Sequence, residues 1–407
     1  MSRHVSRARG LPYRAARTTA ICLSLLVLVV SVGGFVVQEW FNSTVSRVNL
    51  NLGSHRPPKS APGSENWLLV GTDNTATDQF GVRSGTRSDT TILTHLDADG
   101  TITNVSLPRD TLVTIPAYID KQKRPWPAHR DKFNAAISLG GPALLGRTVE
   151  LLTGLQIDHY VSVDLDGFEK ISNVLDGVEV CIRPAPYTGS AITNIDDGYS
   201  GFHGVYGPQK VAGAQALAFV RQRYGLPNND IDRIKRQQQF LGSVFREATT
   251  NRFLFNPVKV AELVGAIKGA ITLDRGTSLS DLERLALRLR GVDPSRVSFE
   301  TVPQRGLEFS DTDLGAVTPY LGRPGGLPTL TPDGQDANIG SVQVLNRSAF
   351  EAMLAPLRNK PTQPHAAAAG RPAPHPSTRS TPKPSTPSAA AAATADTAAS
   401  AANRCTY

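Results

Sequence analysis

Arg221-Gln222-Arg223-Tyr224 and, a few residues on, Asp230-Ile231-Asp232-Arg233-Ile234-Lys235-Arg236-Gln237 carry more positive charge than the neighbouring acids, Asp230 and Asp232, can neutralise. Planar guanidinium forks bind phosphate oxygens in bidentate fashion, so the chemistry that suits this block is capture of a phosphate-bearing anion. Arg221 and Arg223 are two apart and would point the same way from an extended segment. Asp232 is placed like a helix N-cap, and Arg233, Arg236 and Gln237 follow at spacings of three and four, which predicts one shared helical face. The competing interpretation is a solvated surface patch with ordinary carboxylate partners. Against it, the first pair follows directly on Ala216–Val220, an apolar run read as a buried strand.

A second constellation holds carboxylates. Thr90–Leu96 and Thr101–Leu107 are β-rich segments separated by Asp97-Ala98-Asp99-Gly100, a strong hairpin turn signal. Asp89 lies just before the first strand and Asp110 just after the second, so antiparallel pairing brings both to the open end, with Arg87 and Arg109 beside them. Two aspartates and two arginines could simply form ion pairs. Alternatively the carboxylates hold Mg²⁺, a hard cation that prefers oxygen ligands, while the arginines hold the phosphates that it also touches. The 97–100 segment lacks the remaining ligands of a calcium loop and is read as a turn. No Ser-His-Asp or Cys-His set is evident, and His95, His129, His159 and His203 are scattered.

The elements that must position these groups alternate in type. Strands are expected at Trp67–Gly71, His159–Val163, Val178–Ile182, Val297–Val302 and Ser341–Leu345. Helices are expected at Gly141–Leu152, Asp166–Leu175, Pro208–Ala216, Val258–Ile271, Leu279–Arg290 and Ser348–Leu357. The pattern indicates an α/β fold, layered α/β/α around a central mixed sheet.

The flanks bear on compartment. Residues 1–17 contain five arginines and no acid, and Thr18–Gln38 has no ionisable side chain except the thiol of Cys22. That run is long enough to span a bilayer, and the basic flank predicts a cytoplasmic N-terminus. The expected organisation is a basic cytoplasmic tail at 1–17, one transmembrane helix at 18–38, a linker at 39–64, a catalytic domain at 65–358, and a disordered Pro/Ala/Ser/Thr-rich tail at 359–407. The protein is thus expected in the plasma membrane as a single-pass chain with its domain outside the cytoplasm. The formal net charge of +8 suits an anionic envelope, and an extracytoplasmic domain makes nucleic acid a poor partner. A Cys181–Cys405 disulfide is possible there, although a buried free Cys181 is favoured over a bridge to a disordered tail.

Arg87-Ser88-Asp89-Thr90-Thr91, Ser106-Leu107-Pro108-Arg109-Asp110-Thr111, Lys132-Phe133-Asn134-Ala135-Ala136 and the block from Arg221 to Gln238 resemble, in that order, the motifs of the LytR-CpsA-Psr family, in its actinobacterial form. The resemblance implies a Mg²⁺-dependent phosphotransferase that moves a glycan phosphate from a polyprenyl-pyrophosphate carrier to peptidoglycan, sheathing the lipid in an apolar pocket between sheet and helices. Carried over by motif, Asp89 and Asp110 would be metal-holding or acceptor-activating carboxylates. Arg109, Arg221, Arg223, Arg233 and Gln237 would contact the pyrophosphate, with Arg87 and Lys132 as further candidates. Phosphoryl transfer needs positioning and charge neutralisation more than a protein nucleophile, so the missing triad is no obstacle. A non-catalytic module gripping anionic polymer or lipid phosphate is the alternative. Direct gene regulation is excluded by the expected topology, since about seventeen cytoplasmic residues are too few for a DNA-binding fold.

Overall fold

Strict alternation along one strand builds the centre of the molecule. In the computed structural model, strand β1 spans Ser46–Val48, β2 Glu65–Asp73, β3 Arg87–Leu96 and β4 Ile102–Ser106. Leu68 and Val70 of β2 face one way and join Leu93 and Val105 in a buried core, whereas Trp67 faces the other way and packs with Leu96 and Ile102. The structure describes residues 45–73, 87–120, 123–186, 191–249, 269–289, 292–308, 342–358 and 405–407, with isolated helical positions at 24, 28, 32, 39, 43 and within 262–266.

The β3–β4 hairpin closes as the turn signal predicts. Leu96 pairs with Ile102 and Ile92 with Ser106, and Gly100 takes a left-handed φ of 85° while donating to the Asp97 carbonyl. After it come β5 (Leu112–Ile115) and β6 (His129–Lys132), an antiparallel pair, then helix α1 (Ala135–Thr153). α1 bends at Gly140–Gly141, whose backbone leaves the helical region, and resumes at Pro142, a residue suited to a first helical turn. Next are β7 (His159–Asp164), α2 (Leu165–Val174), β8 (Val178–Ile182) and β9 (Gly207–Val211). Asp164 caps α2 by accepting from the Gly167 amide at 2.8 Å.

Helices α3 (Gly213–Arg221) and α4 (Asp230–Thr249) follow, then β10 (Ile271–Asp274), α5 (Leu279–Leu289), β11 (Val297–Thr301), β12 (Gln304–Glu308), β13 (Gln343–Leu345) and α6 (Arg347–Arg358). The main sheet has seven strands in the order β1-β10-β7-β2-β3-β4-β11. It is mixed: β2 pairs parallel to β7 and antiparallel to β3, and β11 lies parallel to β4. α1 and α6 cover the Leu68 face, while the Trp67 face meets α4 and α5.

Several expectations need correction. The run Ala216–Val220 is helical, and Pro208–Val211, expected as helix, is strand β9. Pro208 is tolerated in a two-stranded pair, whereas the Ala-rich segment buries Ala216, Phe219 and Val220 on one face of α3. Ile271, expected to end a helix, instead starts β10 in the sheet; 250–261 lie outside the described residues. The stretch read as a linker contributes β1, and Leu50 and Leu52 pack on the core. Cys181 is not free: it forms a disulfide with Cys405 across a Cα–Cα distance of 4.4 Å. Thr406 lies on the open edge of β8, donating to the Cys181 carbonyl at 3.0 Å and accepting from the Arg183 amide at 2.7 Å. A strand edge offers backbone groups to any short segment, a gain that tail composition does not reveal. Among the described residues no helix is long and apolar enough to cross a membrane. Apart from a few isolated positions, the proposed anchor at 18–38 lies outside them, as does 359–404.

Candidate functional site

Where the sheet parts from helices α2, α3 and α4, a cavity of about 420 Å³ opens. Its depth is apolar: Leu69 and Ile92 come from the sheet, Phe168 and Ile171 from α2, and Leu217 and Phe240 from α3 and α4. Gly71 belongs to the floor, where the added Cβ of any other residue would sit 3.3 Å from Thr90. One end of the cavity is polar and is bordered by Asp73, Asp89, Arg109, Arg221, Arg223, Arg233 and Gln237. Five of the residues singled out for phosphate binding are therefore brought together: Arg109, Arg221, Arg223, Arg233 and Gln237.

Local structure explains the convergence, although by a different route from the extended segment expected. Arg221 closes α3, Gln222 leaves the helical region, and Arg223 continues past it, so the pair straddles a helix terminus. Asp232 is inside the first turn of α4, not at its cap, and reaches back to the Asn228 amide at 2.8 Å. Arg233 and Gln237, one turn apart, face the cavity, and the Gln237 amide donates to the Val220 carbonyl at 3.2 Å, tying α4 to α3. Arg236 does not share that face. It is fully buried elsewhere, where its guanidinium donates to the Tyr407 carbonyl at 2.7 Å, to Gln222 Oε1 at 2.7 Å and to the Asn194 carbonyl.

Arg109 is the pivot of the hairpin end. Its Nη1 donates to Asp89 Oδ1 at 2.9 Å and its Nε lies 3.3 Å from Asp110 Oδ2, while Lys132 Nζ approaches Asp110 Oδ1 at 3.3 Å. Thus the two aspartates meet as the hairpin register predicts. Asp110 and Lys132 lie behind Arg109 and do not line the apolar cavity. Burial works against ionisation of Asp89, but the hydrogen bond and charge of Arg109, with Arg233 and Arg221 beyond, outweigh it and hold its pKa below the ordinary carboxylate value. Arg87, the first residue of β3, pairs by backbone with Asp73 of β2, and its side chain lies outside the described residues.

The polar end is rich in cation. Arg233 is 5 % exposed, and although its Nη2 reaches Asp230 at 2.7 Å, its buried Nε has no hydrogen-bond partner among the described residues. Burial, followed by the opposing pull of Asp230 and the repulsion of Arg109 and Arg223, leaves its pKa lowered. A buried guanidinium donor with no acceptor carries a free-energy cost.

Sequence reasoning missed three contributors. Asp73, 3.9 Å from Arg221, is the strand-end partner of Arg87 in the register, a signal that the β2 pattern alone could have supplied. Asp230 bridges Arg223 at 3.3 Å and Arg233 at 2.7 Å. The apolar lining comes from strands of the sheet and from three helices and has no sequence signature. None of the cavity-lining residues is a histidine: His95 and His129 are buried, and His159 stacks on Trp67 at 4.1 Å.

Two carboxylates, each already held by Arg109, suit Mg²⁺ in the way that it uses when substrate phosphates and water complete its shell. Among the described residues no group of three or more metal-ligating side chains is present, so these two carboxylates do not form part of a closed cage.

Comparison with known proteins places the molecule. Residues 38–321 match the LytR_cpsA_psr family model. A probable cell wall biosynthesis protein, LcpB of Corynebacterium glutamicum, is 33 % identical over 308 residues, 73 % of this chain and 67 % of that protein. The polyisoprenyl-teichoic acid–peptidoglycan teichoic acid transferase TagU of Enterococcus faecalis is 32 % identical over 61 % of this chain and 70 % of its own length. The solved LytR-Csp2A-Psr enzyme from Actinomyces oris shares the fold, with a TM-score of 0.50 and 22 % identity, covering 78 % of this chain and 97 % of that one.

Proposed function

Because the chain belongs to the LytR-CpsA-Psr family, we propose that it is a membrane-anchored, Mg²⁺-dependent phosphotransferase that moves a glycan phosphate from a polyprenyl-pyrophosphate carrier to peptidoglycan. The observation that carries this reading is a single cavity, apolar for most of its depth and cationic at one end, with the buried Arg233 Nε unpartnered there. A long hydrocarbon chain fills the first part and a pyrophosphate the second; few other ligands combine the two. TagU, a relative named for a reaction on a polyisoprenyl-linked polymer, supports the same class.

In this scheme Arg221, Arg223, Arg233 and Gln237 grip the pyrophosphate, and Arg109 orients both it and the two aspartates. Arg87 and Lys132 add positive charge at the hairpin end. An acceptor hydroxyl oxygen forms a bond to the glycan-bearing phosphorus while the bond from that phosphorus to the bridging oxygen breaks, and the electron pair leaves with polyprenyl phosphate. The hydroxyl proton passes to an aspartate of the Arg109 pair, and Asp89 is kept ionised for that task by Arg109. Mg²⁺, when bound by Asp89 and Asp110, neutralises charge on the phosphates. The segment 18–38 anchors the chain, with the domain outside the cytoplasm, where the Cys181–Cys405 disulfide is at home.

The test uses the full chain in detergent micelles with Mg²⁺, a polyprenyl-pyrophosphate-linked glycan and peptidoglycan. Polyprenyl phosphate release should accompany covalent glycan transfer, and Arg221→Ala and Arg223→Ala should each slow transfer about 10²- to 10³-fold. Undiminished transfer in both variants overturns the proposal. Salt-sensitive binding with no turnover, indifferent to Asp89→Ala, would instead establish a tethering module.

A further inference from the structure

Arg223 borders two cavities, not one. Beyond it, away from the apolar pocket, lies a separate cleft of about 510 Å³ bordered by Asp110, Tyr224, Asn229, Asp230 and Gln343. Its character is different: three amides and a phenol share the lining with Ile231 and with charges that are already paired, Arg223 with Asp230 at 3.3 Å and Asp110 with Lys132 at 3.3 Å. Gln343 Oε1 is buried and has no hydrogen-bond partner among the described residues, while its backbone amide donates to the Asp110 carbonyl at 2.9 Å. An acceptor atom is thus fixed beside the Arg109-Asp110 turn with nothing donating to it.

Tyr224 forms the rim. Its side chain is 55 % exposed, and it tilts against Tyr199, 75 % exposed, with ring centroids 4.8 Å apart. This exposed pair is held rigidly from below. Gln222, itself fully buried, donates to the Tyr224 carbonyl at 2.9 Å and to the Thr193 carbonyl at 2.8 Å, joining the two loops that bear the tyrosines. Gly225 has a φ of 74°, and a Cβ there would lie 2.4 Å from the Thr193 backbone, so only glycine allows the loops to close. Preorganised aromatic faces with neutral hydrogen-bonding groups match a hydroxyl-rich, uncharged ligand whose rings present C–H faces.

Resting on the phosphotransferase reading above, we infer that this cleft binds the acceptor, an N-acetylhexosamine strand of peptidoglycan. Tyr224 provides its platform, and Gln343 Oε1 accepts a hydrogen bond from one of the strand's hydroxyl or amide groups. Entering and leaving oxygens lie roughly in line across the phosphorus. With the lipid running from Arg223 into the apolar pocket, the entering hydroxyl comes from the other side of Arg223, where this cleft lies. Asp110 borders it beside Arg109, and the hydroxyl proton passes to the aspartate pair while the new oxygen–phosphorus bond forms and polyprenyl phosphate departs.

The test measures the transfer KM for soluble uncrosslinked glycan strands and, separately, the Kd of a fluorescent polyprenyl phosphate on the full chain. Tyr224→Ala and Gln343→Ala should each raise the acceptor KM about tenfold while the donor Kd stays within about twofold, and Tyr224→Phe should stay near wild type. An unchanged acceptor KM in both alanine variants, or donor affinity falling in step with it, overturns the inference. If the wild-type chain transfers nothing, the phosphotransferase reading falls, and the cleft is decided by direct glycan-strand binding. Binding weakened by Tyr224→Ala upholds the inference; equal binding overturns it.

Discussion

Arg233 and Arg236 lie three residues apart on one helix, are both buried, and serve opposite ends. Arg233 borders the apolar pocket, its Nε has no partner among the described residues, and the pull of Asp230 on its charge is opposed by the repulsion of Arg109 and Arg223. Arg236 has partners on every side. Three hydrogen bonds take up its guanidinium, and the rings of Phe219 and Phe202 lie 4.6 and 5.3 Å from it. Burial pushes its pKa down to about 9, still charged at neutral pH. The lesson is that the type of a residue says little about its role. A satisfied buried arginine holds structure together, whereas one with an unsatisfied donor carries a cost that the proposed phosphate ligand would relieve.

The contrast can be broken most decisively at Arg236. Its replacement by alanine strands the Gln222, Asn194 and Tyr407 acceptors and should cost about 3–5 kcal/mol of stability, read from a denaturant midpoint. Arg223→Ala should change that midpoint by no more than about 1 kcal/mol, because Arg223 is partly exposed and Asp230 keeps Arg233, while transfer collapses. An equal stability loss in both variants would erase the distinction. Next in size is the staple that brings Tyr407 to Arg236. Cys405→Ser should lower stability by about 2–4 kcal/mol, and reductant should reproduce that shift in the wild type but not in the variant.

Carboxylates offer a smaller version of the same contrast. Asp89 sits against Arg109 and its pKa is lowered; Asp131, buried in β6, has its pKa pushed up to about 6 by burial, which the Lys132 amide and charge only partly offset. A carboxyl with a raised folded-state pKa favours the fold when protonated, so its penalty is absent below about pH 4, grows as pH rises toward 6 and is complete above that. Asp131→Asn should therefore stabilise the protein by about 2–3 kcal/mol at pH 7 and by almost nothing at pH 4. Thermal melts across that range would show it, and a gain independent of pH would refute the assignment.

Much of this was legible before any coordinates. The Asp97–Gly100 turn signal fixed a register, and the register carried Asp89 and Asp110 to one end, because side-chain alternation permits no half-steps. Ala216–Val220 misled because short apolar runs look alike in strand and helix, and burial of Phe219 and Val220 on one side decides between them only once the neighbours exist. The 405–407 segment misled for the opposite reason: its composition is that of a tail, and its partner is a strand edge 224 residues away.

The sequence by itself determined the α/β class, the carboxylate hairpin and the identity of the cations that border the polar end of the cavity, since those depend on local periodicity and turn chemistry. Tertiary structure alone decided which of two neighbouring arginines would be left a donor to spare, which apolar side chains from the sheet and three helices would enclose a cavity, and that Gln343 would stand beside Asp110. Those outcomes depend on contacts between segments far apart in the chain, and a pattern within any one segment holds no record of them.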